Sequence, residues 1–261
     1  MKIPYYEVAA FTSKPFGGNP AGVCLLAGWL PDATLQNIAA ENNLSETAFL
    51  VPRGDGYDLR WFTPETEVDL CGHATLASAF VLFTEAGFKG DTVHFHSQSG
   101  VLGVSRVGKV LELDFPSRPP QPCAAPEALI RSLGKQPIEV LKSRDYLAVF
   151  ATEADVRALK PDFELLAKVD ALGIIATAPG NDSDFVSRFF APGAGVAEDP
   201  ATGSSHCTLI PFWAERLGKT QFFARQVSKR GGELFCRLAG QRVRIGGEAA
   251  LYLRGSIEIP G

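Results

Sequence analysis

Glu46 is the first residue with chemical potential. It lies in Leu44-Ser45-Glu46-Thr47-Ala48-Phe49-Leu50-Val51, a strand-like run that is otherwise mostly apolar. Burying an ionised carboxylate in such a run is costly, which predicts a raised pKa. A carboxyl tuned in that way suits general acid/base work near neutral pH. The competing reading is a Glu46 that points outward on an edge strand and does nothing. His73 and Cys71 flank Gly72 where a long apolar segment begins, and Thr202-Gly203-Ser204 opens a second such segment. If both segments are helices, their first N–H groups lack intrahelical partners and form a pair of anion sites suited to a carboxylate. At such a helix start the dipole also predicts a lowered thiol pKa for Cys71. His94 and His96 share one face of a strand and read as surface, and His206 reads as a packing residue. None of these residues has metal-ligand spacing, so no metal site is expected.

The elements that must position these groups come in two copies. Arg60, Trp61, Phe62 and Pro64 repeat as Arg188, Phe189, Phe190 and Pro192. Gly72 to Gly87 and Gly203 to Gly218 are both fifteen residues apart, and Gly100, Leu102 and Gly108 recur 132 residues on as Gly232, Leu234 and Gly240. Matches before, within and after the apolar segment indicate an internal duplication. Each copy predicts a mainly antiparallel sheet of short strands around one helix, spanning 72–86 in the first and 203–217 in the second. A helix that is apolar on every side needs cover on every side, and a curved sheet supplies it. The fold class is therefore α+β, with two pseudo-symmetric, barrel-like domains. Five prolines between Pro116 and Pro126 place the boundary there, giving domains 1–117 and 118–261. A ligand site is expected in the cleft of such a pair.

What differs between the copies marks the chemistry. Six residues before Pro52 stands Glu46, and six before Pro179 stands Gly173. The net charge of −4 leaves no electrostatic footprint for nucleic acid. The longest apolar run near the N-terminus, 21–30, is too short to span a bilayer, and no signal peptide is read. Five scattered cysteines with no C-x-x-C pair suit a reducing compartment, so a cytoplasmic location is expected.

Four blocks carry a resemblance: Gly18-Asn19-Pro20-Ala21-Gly22-Val23, Leu44-Ser45-Glu46-Thr47-Ala48-Phe49, Asp69-Leu70-Cys71-Gly72-His73-Ala74-Thr75 and Glu198-Asp199-Pro200-Ala201-Thr202-Gly203-Ser204. They resemble the signature blocks of the PhzF-like, phenazine biosynthesis-type isomerases, within the diaminopimelate-epimerase fold. The resemblance implies cofactor-independent chemistry in a homodimer, with Glu46 as the acid/base and His73 and Asp199 lining the same pocket. It also implies that Gly72, Gly203 and Ser204 hold the carboxylate of a small substrate, with Asn19 as a further substrate contact. The related epimerases use two thiols, whereas this chain has Cys71 at one matched position and Pro200 at the other. Two rival readings stand beside the isomerase: a Cys71-dependent amino-acid racemase or epimerase, and a non-catalytic binding protein on the same fold.

Overall fold

The computed structural model describes residues 1–259. It divides the chain into two units, Met1–Asp114 with the C-terminal segment from Gly246, and Phe115–Ile245. The first unit opens with β1 (Lys2–Ala10), β2 (Asn19–Leu25), α1 (Asp32–Asn42), β3 (Glu46–Arg53), β4 (Gly56–Phe62) and the short β5 (Glu67–Val68). It continues with α2 (Gly72–Thr84), β6 (Thr92–Ser97), β7 (Gly100–Val107) and β8 (Val110–Pro116). The second contains β9 (Gln121–Pro122), α3 (Glu127–Leu133), β10 (Glu139–Lys142), β11 (Tyr146–Val149), α4 (Glu153–Ala158), α5 (Phe163–Leu166), β12 (Ile174–Pro179), β13 (Phe185–Ala191) and β14 (Val196–Asp199). After these come α6 (His206–Leu217), β15 (Gln221–Gln226), β16 (Gly232–Ala239) and β17 (Arg242–Gly247), and β18 (Ala249–Glu258) ends the chain.

The two units repeat one scheme. In the first, β2 runs parallel to β3, β3 antiparallel to β4, and β4 pairs with short β5 before running parallel to β6. In the second, β11, β12, β13, β14 and β15 make the same sequence of pairings. Neighbouring parallel strands need a crossover between them: α1 and α2 lie in the two crossovers of the first unit, and α4 with α5, then α6, in the two of the second. The hairpins that follow also match, because Gly108 and Gly240 both sit at φ +64° in their turns. That left-handed backbone is cheap only for glycine, which explains their recurrence at equal spacing.

Helix α2 packs against β1, β2, β3, β7 and β18, and every residue from Gly72 to Ala79 is buried. Its polar members satisfy themselves inside the helix: Thr75 Oγ1 donates to the Cys71 carbonyl at 2.6 Å and Ser78 Oγ to that of Ala74 at 2.7 Å. Helix α6 is different. Pro211 within it lacks an N–H, so the Cys207 carbonyl loses its helical donor and accepts instead from the backbone N–H of Arg118 at 2.8 Å.

Two expectations from the sequence need correcting. The helix expected over 203–217 starts at His206, because Gly203, Ser204 and Ser205 form a tight turn whose carbonyls bond three residues ahead. The C-terminal strand, whose return to the first domain the sequence left open, belongs to the first unit. It pairs antiparallel with β1 from Lys2↔Glu258 to Ala10↔Ala249, with one register shift between Glu7 and Val8. The split also falls after Asp114 rather than after residue 117. No helix among the described residues is long and apolar enough to cross a membrane.

Candidate functional site

In the first unit the fold brings Asn19, Glu46, Cys71, Gly72 and His73 together. Asn19 begins β2 because Gly18 before it adopts φ +58°, and a Cβ at Gly18 would stand 2.1 Å from the Ala10 carbonyl oxygen. Only glycine fits that approach. Asn19 then pairs with Ala10 on β1 and is fully buried. Glu46 opens β3 opposite Ala21 of β2, with β4 on the strand's other side. The edge-strand reading therefore fails: β3 is interior, and the Glu46 side chain is 16% exposed. Cys71 caps α2 in extended backbone, Gly72 is the first helical residue, and His73 follows it, all three buried.

The imidazole of His73 is met on both nitrogens. Nε2 lies 3.1 Å from Glu46 Oε2. That is ion-pair distance but out of line for a hydrogen bond, and neither atom has another hydrogen-bond partner. Nδ1 lies 3.2 Å from Asn19 Nδ2 and 3.5 Å from Cys71 Sγ. Burial pushes the Glu46 carboxyl up, but the charge of His73 and contacts with His73 and Cys71 outweigh it and hold it below its ordinary value. Burial pushes His73 down, while Cys71 and Glu46 raise it well above its ordinary value. Burial and the Glu46 charge push the Cys71 thiol up to about 11. With that thiol neutral near pH 7, the anion that faces His73 is Glu46. Both shifts favour the charged pair, carboxylate and imidazolium.

Both pKa expectations drawn from the sequence are thus reversed. Glu46 is lowered because a cation meets it in the interior. Cys71 is raised because desolvation exceeds the help of one helix end. Glu46, Cys71 and His73 are also the one group among the described residues with potential ligand atoms within 4.8 Å of one another. The ring turns one nitrogen to the carboxylate and the other to the thiol. The close contacts of this donor set suit proton sharing.

The second unit carries Asp199, Gly203 and Ser204 on one turn. Asp199 ends β14 opposite Phe189. Its Oδ2 accepts from Thr202 Oγ1, and its backbone carbonyl accepts from Gln226 Nε2 at 2.7 Å. Gln226 Oε1 also accepts from the Thr202 N–H at 2.8 Å, so one side chain ties β15 to both ends of the turn. Gly203 is buried and Ser204 half-buried. Ser204 Oγ accepts from Arg144 Nη2 at 3.3 Å, and Arg144 pairs with the buried Asp145 at 3.0 Å. His206 packs as expected. Its Nδ1–H donates to the Thr202 carbonyl at 2.9 Å, and burial lowers its pKa to about 4. His94 is exposed and His96 half-buried.

Sequence reasoning missed Gln226, Thr202 and Arg144. A charged Arg144-Asp145 pair just before an apolar strand was the available signal for the last, and Gln226 left none. The duplicated arginines also find their explanation here. Arg60 forks onto Glu67 with two contacts of 2.7 Å, and Arg188 onto Glu198 with contacts of 2.7 and 2.8 Å. Each pair ties a strand to the short strand after it. This repeated feature is structural.

Comparisons with known proteins identify the family and the fold. The family model described as phenazine biosynthesis-like protein, PhzC-PhzF, matches residues 8–255. An uncharacterised isomerase of Pseudomonas aeruginosa is 50% identical over 259 residues, 99% of this chain and 100% of its own length. The crystal structure of a PhzF-family protein of Enterococcus faecalis superposes with a TM-score of 0.97 at 48% identity, covering 99% of this chain and 100% of that one. A predicted epimerase of Pseudomonas aeruginosa shares the fold at a TM-score of 0.77 and 23% identity, covering 99% of this chain and 100% of its own. The chain belongs to the PhzF-like, phenazine biosynthesis-like family of isomerases.

Proposed function

We propose that the protein moves a proton, and with it a double bond, on a small carboxylate-bearing substrate, with Glu46 as the proton carrier and no cofactor. The observation that carries this reading is the Glu46 carboxyl, 3.1 Å from His73 Nε2 and 16% exposed, which His73 holds below its ordinary pKa. A carboxylate in that state is ready to accept a proton from carbon. The C–H electron pair becomes the new double bond, and the old double bond collects the proton from the Glu46 carboxyl at a carbon further along. One carrier doing both steps keeps the transfer on one face of the substrate. His73 holds the charge of Glu46 before and after each transfer. The roles of Gly72, Gly203 and Ser204 in holding the substrate carboxylate, and of Asp199 in the same chemistry, belong to this proposal too.

The Cys71 racemase reading has less support, because the thiol is neutral and its matched position holds Pro200. The test is profiling of a mixture of small carboxylic acids incubated with wild-type and Glu46→Gln protein. The proposal expects a substrate and product of equal mass and different connectivity with wild type alone. Inversion of a stereocentre at unchanged connectivity would favour the Cys71 reading. Conversion by both proteins at equal rate would remove Glu46 from the chemistry.

A further inference from the structure

We propose that Asn19 is a positioning residue that holds the proton of neutral His73 on Nε2 by donating Nδ2–H to Nδ1, and that a half-turn of its amide serves the doubly protonated ring. Asn19 is buried, pinned by the Gly18 turn, and its side chain meets the ring nitrogen turned away from Glu46. It therefore supports the imidazole.

An amide carries two donors on nitrogen and an acceptor on oxygen in nearly the same shape. With Nδ2–H donating into Nδ1, neutral His73 must carry its one proton on Nε2, facing Glu46. When His73 is doubly protonated, Nδ1–H needs an acceptor, and a half-turn of the amide supplies Oδ1. Asparagine thus serves both protonation states of a ring paired with a proton carrier. Aspartate accepts only, and leucine does neither. The ionisable groups that act on His73 are Cys71, on the cap of its own helix, and Glu46, on β3. Among the described residues, β1, β2, β7 and β18, which also pack on α2, add no ionisable partner to it.

The purpose of this device rests on the proposed Glu46 chemistry, but its test needs no substrate. Long-range 15N NMR of the full chain, with His73 identified by its loss in His73→Gln, reports tautomer and titration directly. In wild type the neutral form is expected with its proton on Nε2, and a proton on Nδ1 would overturn the proposal without any variant. Asn19→Asp is expected to move the His73 midpoint up by at least about one pH unit, as an added anion at this distance does. Asn19→Leu is expected to lower it. Buried His206, whose Nδ1–H donates to the Thr202 carbonyl, serves as the internal sign that each variant is folded. A His73 midpoint and tautomer unchanged in both folded variants would refute the role. Loss of the Glu46 reading shows instead as activity retained in Glu46→Gln, so the two failures are distinct.

Discussion

Removing His73 should leave Glu46 as an uncompensated interior charge, and the cost has a ceiling that depends on pH. A carboxyl that cannot stay ionised takes up a proton instead. From an ordinary pKa of 4.5, that costs at most about 3.4 kcal/mol at pH 7, or 1.36 kcal/mol for each of 2.5 units, and about 0.7 kcal/mol at pH 5. The comparison that isolates this term is His73→Gln against the double variant Glu46→Gln/His73→Gln, because both lack the imidazole and its own titration cancels. Urea unfolding should find the double variant more stable at pH 7 by up to about 3.4 kcal/mol, less what the new amide loses by burial, with the gap shrinking to under about 1 kcal/mol at pH 5. The sign follows from Glu46 in the single variant, where burial without His73 pushes the carboxyl above its ordinary value. That penalty is absent below pH 4.5 and grows as pH rises, so the gap widens from about pH 5 to pH 7. A double variant no more stable than the single at pH 7, or a gap indifferent to pH, would refute a buried carboxylate balanced by His73.

Three further outcomes follow from the geometry. Cys71, with its pKa raised from 9.0 to about 11, should alkylate about 100-fold more slowly in the native protein at pH 7 than an ordinary thiol, since the thiolate fraction falls tenfold per unit; a native rate equal to the denatured one would contradict its burial. Arg188→Met should destabilise by about 3–5 kcal/mol, because it strands Glu198 and the Val156 and Leu159 carbonyls that Arg188 also reaches. Arg60→Met, whose other partner is the exposed Asp32, should cost clearly less in the same denaturant assay; equal losses would contradict the difference in burial. Gly18→Ala and Gly54→Ala both place alanine near φ +58°, which costs about 1–2 kcal/mol, but only Gly18 also meets a carbonyl; equal unfolding free energies would show that the close approach relaxes.

The duplication, the two central helices and the unusual placement of Glu46 were legible in the sequence because each has a local or periodic signature. Apolar residues all round 74–83 say that the helix is wrapped, and a carboxylate present in one copy alone says where the copies diverge. The direction of the Glu46 shift was not legible, since it depends on a ring brought from 27 residues away. Propensity describes a strand and a helix separately and leaves their approach open. The late start of α6 was hidden because Gly203-Ser204-Ser205 suits a turn and a first helical turn equally well. The return of β18 to β1 joins opposite ends of the chain and has no local mark at all. Arg60 and Arg188 were visible as a repeat, but their Glu partners sit at offsets of seven and ten, so the ion pairs were not.

The most direct test of the central claim is turnover of an identified substrate in D2O by wild-type and Glu46→Gln protein. The Glu46 account predicts a product of altered double-bond position with solvent deuterium on one face of the reprotonated carbon. It further predicts a loss of about 100-fold or more in turnover in the variant, the scale of a general base. Turnover of Glu46→Gln at the wild-type rate would contradict it.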